Sequence, residues 1–292
     1  MPAAGIAAAL GTVLIWASFL VSLRFAMTEA YSTGAILLMR FLPAALVLAP
    51  VIWREGIWPR GVPTWQILVI VLGSGVPFYY FISLGVSLAP ASDAGALAPG
   101  TLPLLIAVAS FLALGERFDR LRIIGFAAIL AGGLMIGLWD AISKGADGAW
   151  RGHLVIVGAV CGWAAYTVVF RLSGLTAYQG AAISIGWSAM LVVPVALWLG
   201  VETGSADWPE IALVTFIQGV LGGAIALVSF GVAVSLLGPS RTAAFTALTP
   251  VVVLVASVFF LAEPIDSVKV AGILIVSAGV FLASGVIREG VR

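Results

Sequence analysis

Cysteine and histidine are nearly missing from this chain: 292 residues hold one of each, Cys161 and His153. One thiol excludes an intramolecular disulfide, and one thiol with one imidazole excludes a His/Cys metal cage. Charge is almost as scarce. Lys and Arg number 14 and Asp and Glu 13, a net charge of +1. That leaves no basic field to gather phosphates, so nucleic acid is not an expected partner. Charged residues make up 9% of the chain and hydrophobic ones 62%, where soluble proteins carry about 25% and roughly 45–50%. With a mean hydropathy of +1.18, a soluble globular domain is excluded, because most residues of such a domain meet water somewhere. The chain has no nucleotide-binding loop and no room for a domain to hold one, which excludes ATP coupling.

What the chain does have is ten long apolar stretches, at 5–23, 30–53, 61–92, 94–115, 123–139, 154–170, 172–201, 211–240, 242–262 and 270–287. About 20 mostly apolar residues cross roughly 30 Å of hydrocarbon as a helix. Hydrophobicity that is continuous and not alternating excludes a β-barrel. The expected fold is an all-α integral membrane protein of ten transmembrane helices. The N-terminus lacks the basic start and cleavage site of a signal peptide, and the first span reads as retained. Basic residues in short loops set the orientation. With the N-terminus in the cytoplasm, the inner side carries Arg54, Arg60, Arg117, Arg120, Arg122, Arg171, Arg241, Arg288 and Arg292. The outer side carries only Arg24, Lys144, Arg151 and Lys269, so both termini are expected inside. The outer loops are instead acidic, with Glu29, Asp93, Asp140, Asp147, Glu202, Asp207, Glu210, Glu263 and Asp266.

The chain also repeats itself at an offset of 147. Gly5 meets Gly152, Trp16 meets Trp163, Arg24 meets Arg171, Pro103 meets Pro250 and Glu116 meets Glu263. Gly125 then meets Gly272, and Gly132 meets Gly279. Five crossings per half is an odd number, so the halves, 1–145 and 146–292, cross the membrane in opposite senses. Inverted repeats are a hallmark of secondary transporters, whose substrate site lies near the midplane between the repeats. A central cavity between two inverted five-helix repeats is therefore expected.

Segment 91–137, from Ala91 through Pro103 to GERFDRLRIIGFAAILAGG, resembles the signature of the drug/metabolite transporter superfamily. Its counterpart, TAAFTALTPVVVLVASVFFLAEPIDSVKVAGILIVSAG, resembles the same signature. The whole chain is similar to ten-helix EamA-type members, and in length, repeat and aromatic content to an aromatic amino-acid exporter among them. The resemblance implies a bacterial inner-membrane carrier, not an enzyme, that works by alternating access without a cofactor. Members move amino acids, nucleotide sugars, sugar phosphates, nucleobases, drugs and other metabolites, mostly outward. Amino acids, aromatic ones included, are the expected substrate. Other amphipathic metabolites or cationic drugs are the alternative, since aromatic faces also bind cations. Membrane lipid is the other expected partner, and the carrier is expected to be a monomer.

Arg40 is the only basic residue well inside an apolar stretch. An intramembrane charge is a functional-site hypothesis by default. Its guanidinium either faces the cavity and pairs with a substrate carboxylate, or it snorkels outward or clamps the carbonyl ends of a neighbouring helix. Trp16 and Phe19 lie three apart on one helical face, and Trp163 and Tyr166 repeat that spacing. Phe78, Tyr79 and Tyr80 follow Pro77, where a kink opens the third helix. These eight residues are the candidate substrate-binding set, with ordinary helix packing as the alternative. Trp53, Trp58, Trp65, Trp150 and Trp208, near helix ends, read as an interfacial belt. Pro77, Pro99, Pro103 and Pro250 are expected helix breaks, acting as hinges or substrate contacts, with Thr101, Thr246 and Thr249 placed to bond freed carbonyls.

The remaining polar residues read as structural. His153 has no carboxylate at metal-ligand spacing and reads as an interfacial residue, Cys161 as a small packing residue. Neither a metal site nor a cluster of His, Asp or Glu at one membrane face is expected, which disfavours a lipid-modifying enzyme. Glu116 and Glu263 are expected to cap the helices that follow them. No Asp or Glu lies in the middle of a span, so transport is expected to run downhill and to ignore a pH gradient. Should it respond to one, Glu116, Glu263 and Asp93 are the first suspects.

Overall fold

The computed structural model describes residues 2–144, 148–237, 239–264 and 266–286; Asp147, Arg288 and Arg292 lie outside them. Each of the ten apolar stretches contains helix among the described residues. α1 (Pro2–Thr28) runs for 27 residues with no charge before Arg24, about 40 Å at 1.5 Å per residue. α2 (Thr33–Val47) starts at Ser32, whose hydroxyl accepts from the Ala35 N–H. It bends by 68° into α3 (Ala49–Glu55), which has Pro50 in its first turn. α4 (Thr64–Ser74) and α5 (Val76–Leu88) form the third span, broken at Gly75 with Pro77 opening α5. α6 (Ala91–Leu97) and α7 (Leu102–Leu114) form the fourth, broken over 98–101.

α8 (Arg120–Lys144), α9 (Trp150–Ser173) and α10 (Ala177–Leu199) are unbroken. α11 (Trp208–Thr215) passes through a π-helical stretch, Phe216–Ile225, into α12 (Ala226–Leu237). α13 (Pro239–Thr246) and α14 (Thr249–Leu261) precede α15 (Ser267–Ala283). Among the described residues, eight helices are long and apolar enough to cross a membrane, nine with the bent pair α2–α3; α15 is apolar but shorter.

Two sets of loops gather at opposite ends. At one, here the acidic end, Ser32 N–H donates to Glu202 O (2.9 Å) and Ala91 N–H to Glu263 Oε1 (2.7 Å). Tyr31 donates its hydroxyl to Glu210 Oε1 there (2.8 Å). Burial, with that carboxylate, pushes the Tyr31 phenol well above its ordinary range, so it stays a neutral donor. At the other, basic end, Arg171 Nη1 meets Glu116 Oε1 at 2.5 Å.

Glycine sets close helix crossings. α8 and α15 pack antiparallel with Gly125 facing Gly279 and Gly132 facing Gly272. A Cβ on Gly279 would lie 2.7 Å from Gly125 O, and one on Gly132 2.6 Å from Gly272 O. Small residues let the backbones approach in this way where lipid supplies no hydrophobic drive. Gly73 against Gly162 and Gly223 against Ala44 repeat the device.

The caps differ from expectation. Asp119 caps α8 by accepting from Leu121 and Arg122 N–H (3.0 and 3.1 Å), and Asp266 caps α15 by accepting from Val268 and Lys269 N–H (2.9 and 3.3 Å). Each Asp stands three residues after the expected Glu, directly at the helix start. Glu263 instead caps α6, accepting from Ala91 and Ser92 N–H and the Ser92 hydroxyl. Trp53, Trp58, Trp65 and Trp208 are exposed near helix ends, as a belt requires. Cys161 is exposed, not packed.

Candidate functional site

α2 buries Arg40 on the same face as Ile36, Leu37 and Phe41, with 6% of its surface exposed. The π-helical stretch lies close against it because Gly219 and Gly223 carry no side chain; a Cβ on Gly223 would sit 2.7 Å from Ala44 Cβ. That approach brings two carbonyls to the guanidinium. Arg40 Nη1 donates to Gln218 O at 3.1 Å, and Nη2 donates to Gly222 O at 3.5 Å and to the Tyr79 hydroxyl. The guanidinium carbon lies 3.5 Å from the centre of the Tyr79 ring and 4.6 Å from that of Phe19. No carboxylate among the described residues pairs with it. Arginine can donate five hydrogen bonds, and a buried cation without a counter-ion favours an anion beside it. The head group does not snorkel: it turns inward among rings and clamps the Gln218 and Gly222 carbonyls of the neighbouring π-helical stretch.

Six of the eight candidate residues join one another here. Tyr79 touches Phe19 (5.9 Å between ring centres), Phe78 (4.8 Å) and Trp163 (6.5 Å), and Trp163 stacks edge-on with Tyr166 at 5.7 Å. Trp16 does not join them; it stacks on Phe230 at 5.7 Å. Tyr80 packs beside Phe81. Gln218 completes the site and was not anticipated. It is fully buried, and its amide donates to Phe19 O (3.1 Å) and Ser22 Oγ (2.8 Å). Its only signal in the sequence is a lone amide inside the 211–240 apolar run. The repeat mate of Arg40, Trp187, does something different: its indole donates to Ile57 O at 3.0 Å.

The four candidate prolines stand at breaks, whereas Pro43 and Pro194 lie inside α2 and α10. Pro99 lies in the turn 98–101, and Pro103 and Pro250 each open the helix that follows a break, α7 and α14. Thr101 donates to Leu97 O at 2.5 Å inside the first break, as a freed carbonyl needs.

A second cluster overturns the reading of His153 as an interfacial residue without a carboxylate. His153 Nε2 lies 2.9 Å from Asp93 Oδ2, Lys269 Nζ 2.5 Å from the same oxygen, and Lys269 Nζ 3.1 Å from Asp140 Oδ1. All four residues are buried. Asp93, Asp140 and His153 converge closely enough to hold a metal ion, but the Lys269 ammonium stands between the two carboxylates and fills a cation's place. The absence of a His/Asp cluster at one membrane face, expected from sequence, is corrected by this group. Buried from lipid and water alike, it has no face for a lipid substrate. Spacing along the chain hid it: residues 93, 140, 153 and 269 come from four helices.

The model of the EamA-like transporter family matches this chain twice, at residues 3–138 and 150–285. The chain belongs to the EamA-like transporter family. This EamA-like transporter is 28% identical over 260 residues to YyaM of Bacillus subtilis, an uncharacterized transporter, across 85% of this chain and 82% of that one. YetK and YvbV, uncharacterized transporters of the same organism, are each 28% identical, across 84% and 76% of this chain and 76% and 72% of theirs. A crystal structure that is 20% identical superposes with a TM-score of 0.63 over 98% of this chain and 97% of its own, which shows a shared fold. The EamA-like transporter is thus a multi-pass membrane protein that moves a solute and not a member of an enzyme class.

Proposed function

We propose that this transporter exports amino acids, aromatic ones included, across a bacterial inner membrane by alternating access. One observation carries the substrate reading: among the described residues the buried Arg40 guanidinium has no carboxylate partner, and it stands against the aromatic rings of Phe19 and Tyr79. A substrate carboxylate satisfies the guanidinium through charge-assisted hydrogen bonds, and an aromatic or apolar side chain packs on Phe78 and Trp163. A cationic drug fits this site less well, because the buried positive charge repels it; neutral or anionic amphipathic metabolites remain the alternative substrates.

The architecture proposed with it is ten spans in two inverted five-helix halves, 1–145 and 146–292, with both termini cytoplasmic and the acidic end outside. Its supports are separate. The two family matches begin 147 residues apart (150 minus 3). The α8–α15 crossing pairs Gly125 with Gly279 and Gly132 with Gly272, the pattern of a twofold axis across two equivalent antiparallel helices. Arg24 with Glu263 (3.8 Å) and Arg171 with Glu116 (2.5 Å) exchange under the same offset, at opposite ends.

The test is counterflow in proteoliposomes across the amino acids, their methyl esters and the matching amines. Saturable exchange of the acids, lost in the esters and amines, is expected. A charged hydrogen bond is worth about 1.5–3 kcal/mol, so Arg40→Gln should weaken the acids by roughly 10- to 150-fold. Esters and amines that exchange as well as the acids would overturn the carboxylate reading.

A further inference from the structure

Building on the carboxylate reading of Arg40, we propose that the Gln218 side chain binds the ammonium of an α-amino acid. The pair then tells an amino acid from a carboxylic acid that lacks the amine: Arg40 takes one charged group and the Gln218 amide oxygen the other.

The neighbours of Gln218 fix which way its amide points. Phe19 O can only accept, so the amide atom 3.1 Å from it is the donating Nε2. Ser22 Oγ gives its own proton to Phe19 O at 3.1 Å and accepts from the same Nε2 at 2.8 Å. Both amide protons are thus spent on α1, and Oε1 is the atom left over. Gln218 is fully buried, and no donor among the described residues reaches Oε1. A buried acceptor without a partner is costly, and native folds hold few of them.

That acceptor belongs to the Arg40 site. The main-chain carbonyl of the same residue accepts from Arg40 Nη1 at 3.1 Å. Amide and guanidinium also share Phe19: one bonds its carbonyl, and the other lies 4.6 Å from its ring centre. An α-amino acid carries its ammonium and carboxylate on a single carbon, so its two binding groups must stand together in this way. The neutral amide suits the task. A carboxylate at 218 would pair with Arg40 and cancel the charge that a substrate carboxylate needs, whereas an amide oxygen accepts N–H donors and leaves that charge intact. Arg40 and Phe19 come from the first half and Gln218 from the second, so a ligand held at both groups joins the halves, as a site at a repeat interface requires. Gln218 also stands in the π-helical stretch Phe216–Ile225, a winding that recurs at functional sites. An acid without the amine bonds Arg40 but leaves Oε1 unpaired, and a site built around a substrate N–H rejects the analogue that lacks it.

The test compares unlabelled L-phenylalanine with 3-phenylpropionate, its analogue without the amine, as inhibitors of L-phenylalanine counterflow in proteoliposomes. With the wild-type transporter, the analogue should need about tenfold or more higher concentration to halve the exchange. Gln218→Met keeps the length and loses the acceptor, and should bring the two inhibitors within about threefold of each other. Arg40→Gln should weaken both and leave their ratio. A second measurement needs no change at 218. Transporter labelled with 13C at glutamine Cδ and loaded with 15N-phenylalanine should show a dipolar contact within about 4 Å. The contact should persist when Gln66 and Gln179, the other glutamines, at the starts of α4 and α10, are replaced by Ala. Equal inhibition of the wild type by both compounds, with the methyl ester still rejected, overturns the ammonium site and leaves the carboxylate reading standing. A preference that survives Gln218→Met, or labelled transporter without the contact, removes Gln218 from the site. A methyl ester that exchanges as well as phenylalanine overturns the carboxylate reading and the ammonium site with it.

Discussion

Trp16 and Trp163 occupy equivalent places in the sequence, yet the structure gives them different neighbours. Trp163 belongs to the Arg40 cluster through Phe78 and Tyr79, while Trp16 faces Phe230. An aromatic pair is worth about 0.5–1.5 kcal/mol, so Trp163→Ala should raise KM by roughly 2- to 12-fold, with Trp16→Ala nearer wild type. Concentration-dependent exchange in proteoliposomes measures both; equal effects would return Trp16 to the site. At the start of α15, the Trp139 indole donates to Asp266 at 2.7 Å. That bond, joined by the Val268 and Lys269 N–H groups, holds the Asp266 carboxyl below its usual range. A lowered carboxyl stabilises the fold above its unfolded value near pH 4 and loses that contribution as pH falls through its folded value. Asp266→Ala should therefore lower stability by about 0.5–2 kcal/mol at pH 7, with the difference shrinking below pH 4. Thermal unfolding in detergent at the two pH values checks the sign.

At the level of elements, glycines that look alike in the sequence part company. Gly279 and Gly158 both sit inside long apolar helices. A Cβ on Gly279 would strike Gly125 O and Ile129 N at 2.7 and 2.8 Å, whereas one on Gly158 meets nothing within 4 Å. Gly279→Leu is expected to destabilise the α8–α15 crossing by about 1–3 kcal/mol, and Gly158→Ala to gain about 0.5–1 kcal/mol of helix propensity. Unfolding midpoints of the two variants should move in opposite directions. The breaks at Pro77, Pro99, Pro103 and Pro250 were legible because proline removes a donor and clashes one turn back. The π-helical stretch at 216–225 was not. No residue type specifies that winding, which arises where Gly219 and Gly223 meet α2 and Arg40 takes up two of the carbonyls.

For the whole molecule, the two ends should respond differently to loss of their repeat-related glutamates. Glu263 holds two backbone N–H groups and a hydroxyl as well as Arg24, while Glu116 forms a more exposed pair with Arg171. An exposed pair is worth about 0–1 kcal/mol, and a helix cap adds about 0.5–2 kcal/mol. Glu263→Gln should thus lower thermal stability more than Glu116→Gln, and a reversed order would remove the capping assignment. Orientation has its own test: in a Cys161→Ser background, Arg292→Cys should resist an impermeant thiol reagent in intact cells and react once the cells are opened. Labelling in intact cells would place the C-terminus outside and the acidic end in the cytoplasm.

By itself the sequence determined the membrane class, the apolar helices and the breaks at four of its prolines, because these follow from local composition: enough apolar residues to cross hydrocarbon, and rings that cannot donate. It also named Arg40 and five of its aromatic neighbours, since a charge inside an apolar run is conspicuous. Only tertiary structure decided that Arg40 turns inward, that Gln218 stands beside it, and that Asp93, Asp140, His153 and Lys269 share one buried cluster. Each of those four lies within a turn or so of a helix end, where a charge is unremarkable in sequence. They become a buried ionic group only when four helices, far apart in the chain, bring those ends together and exclude water.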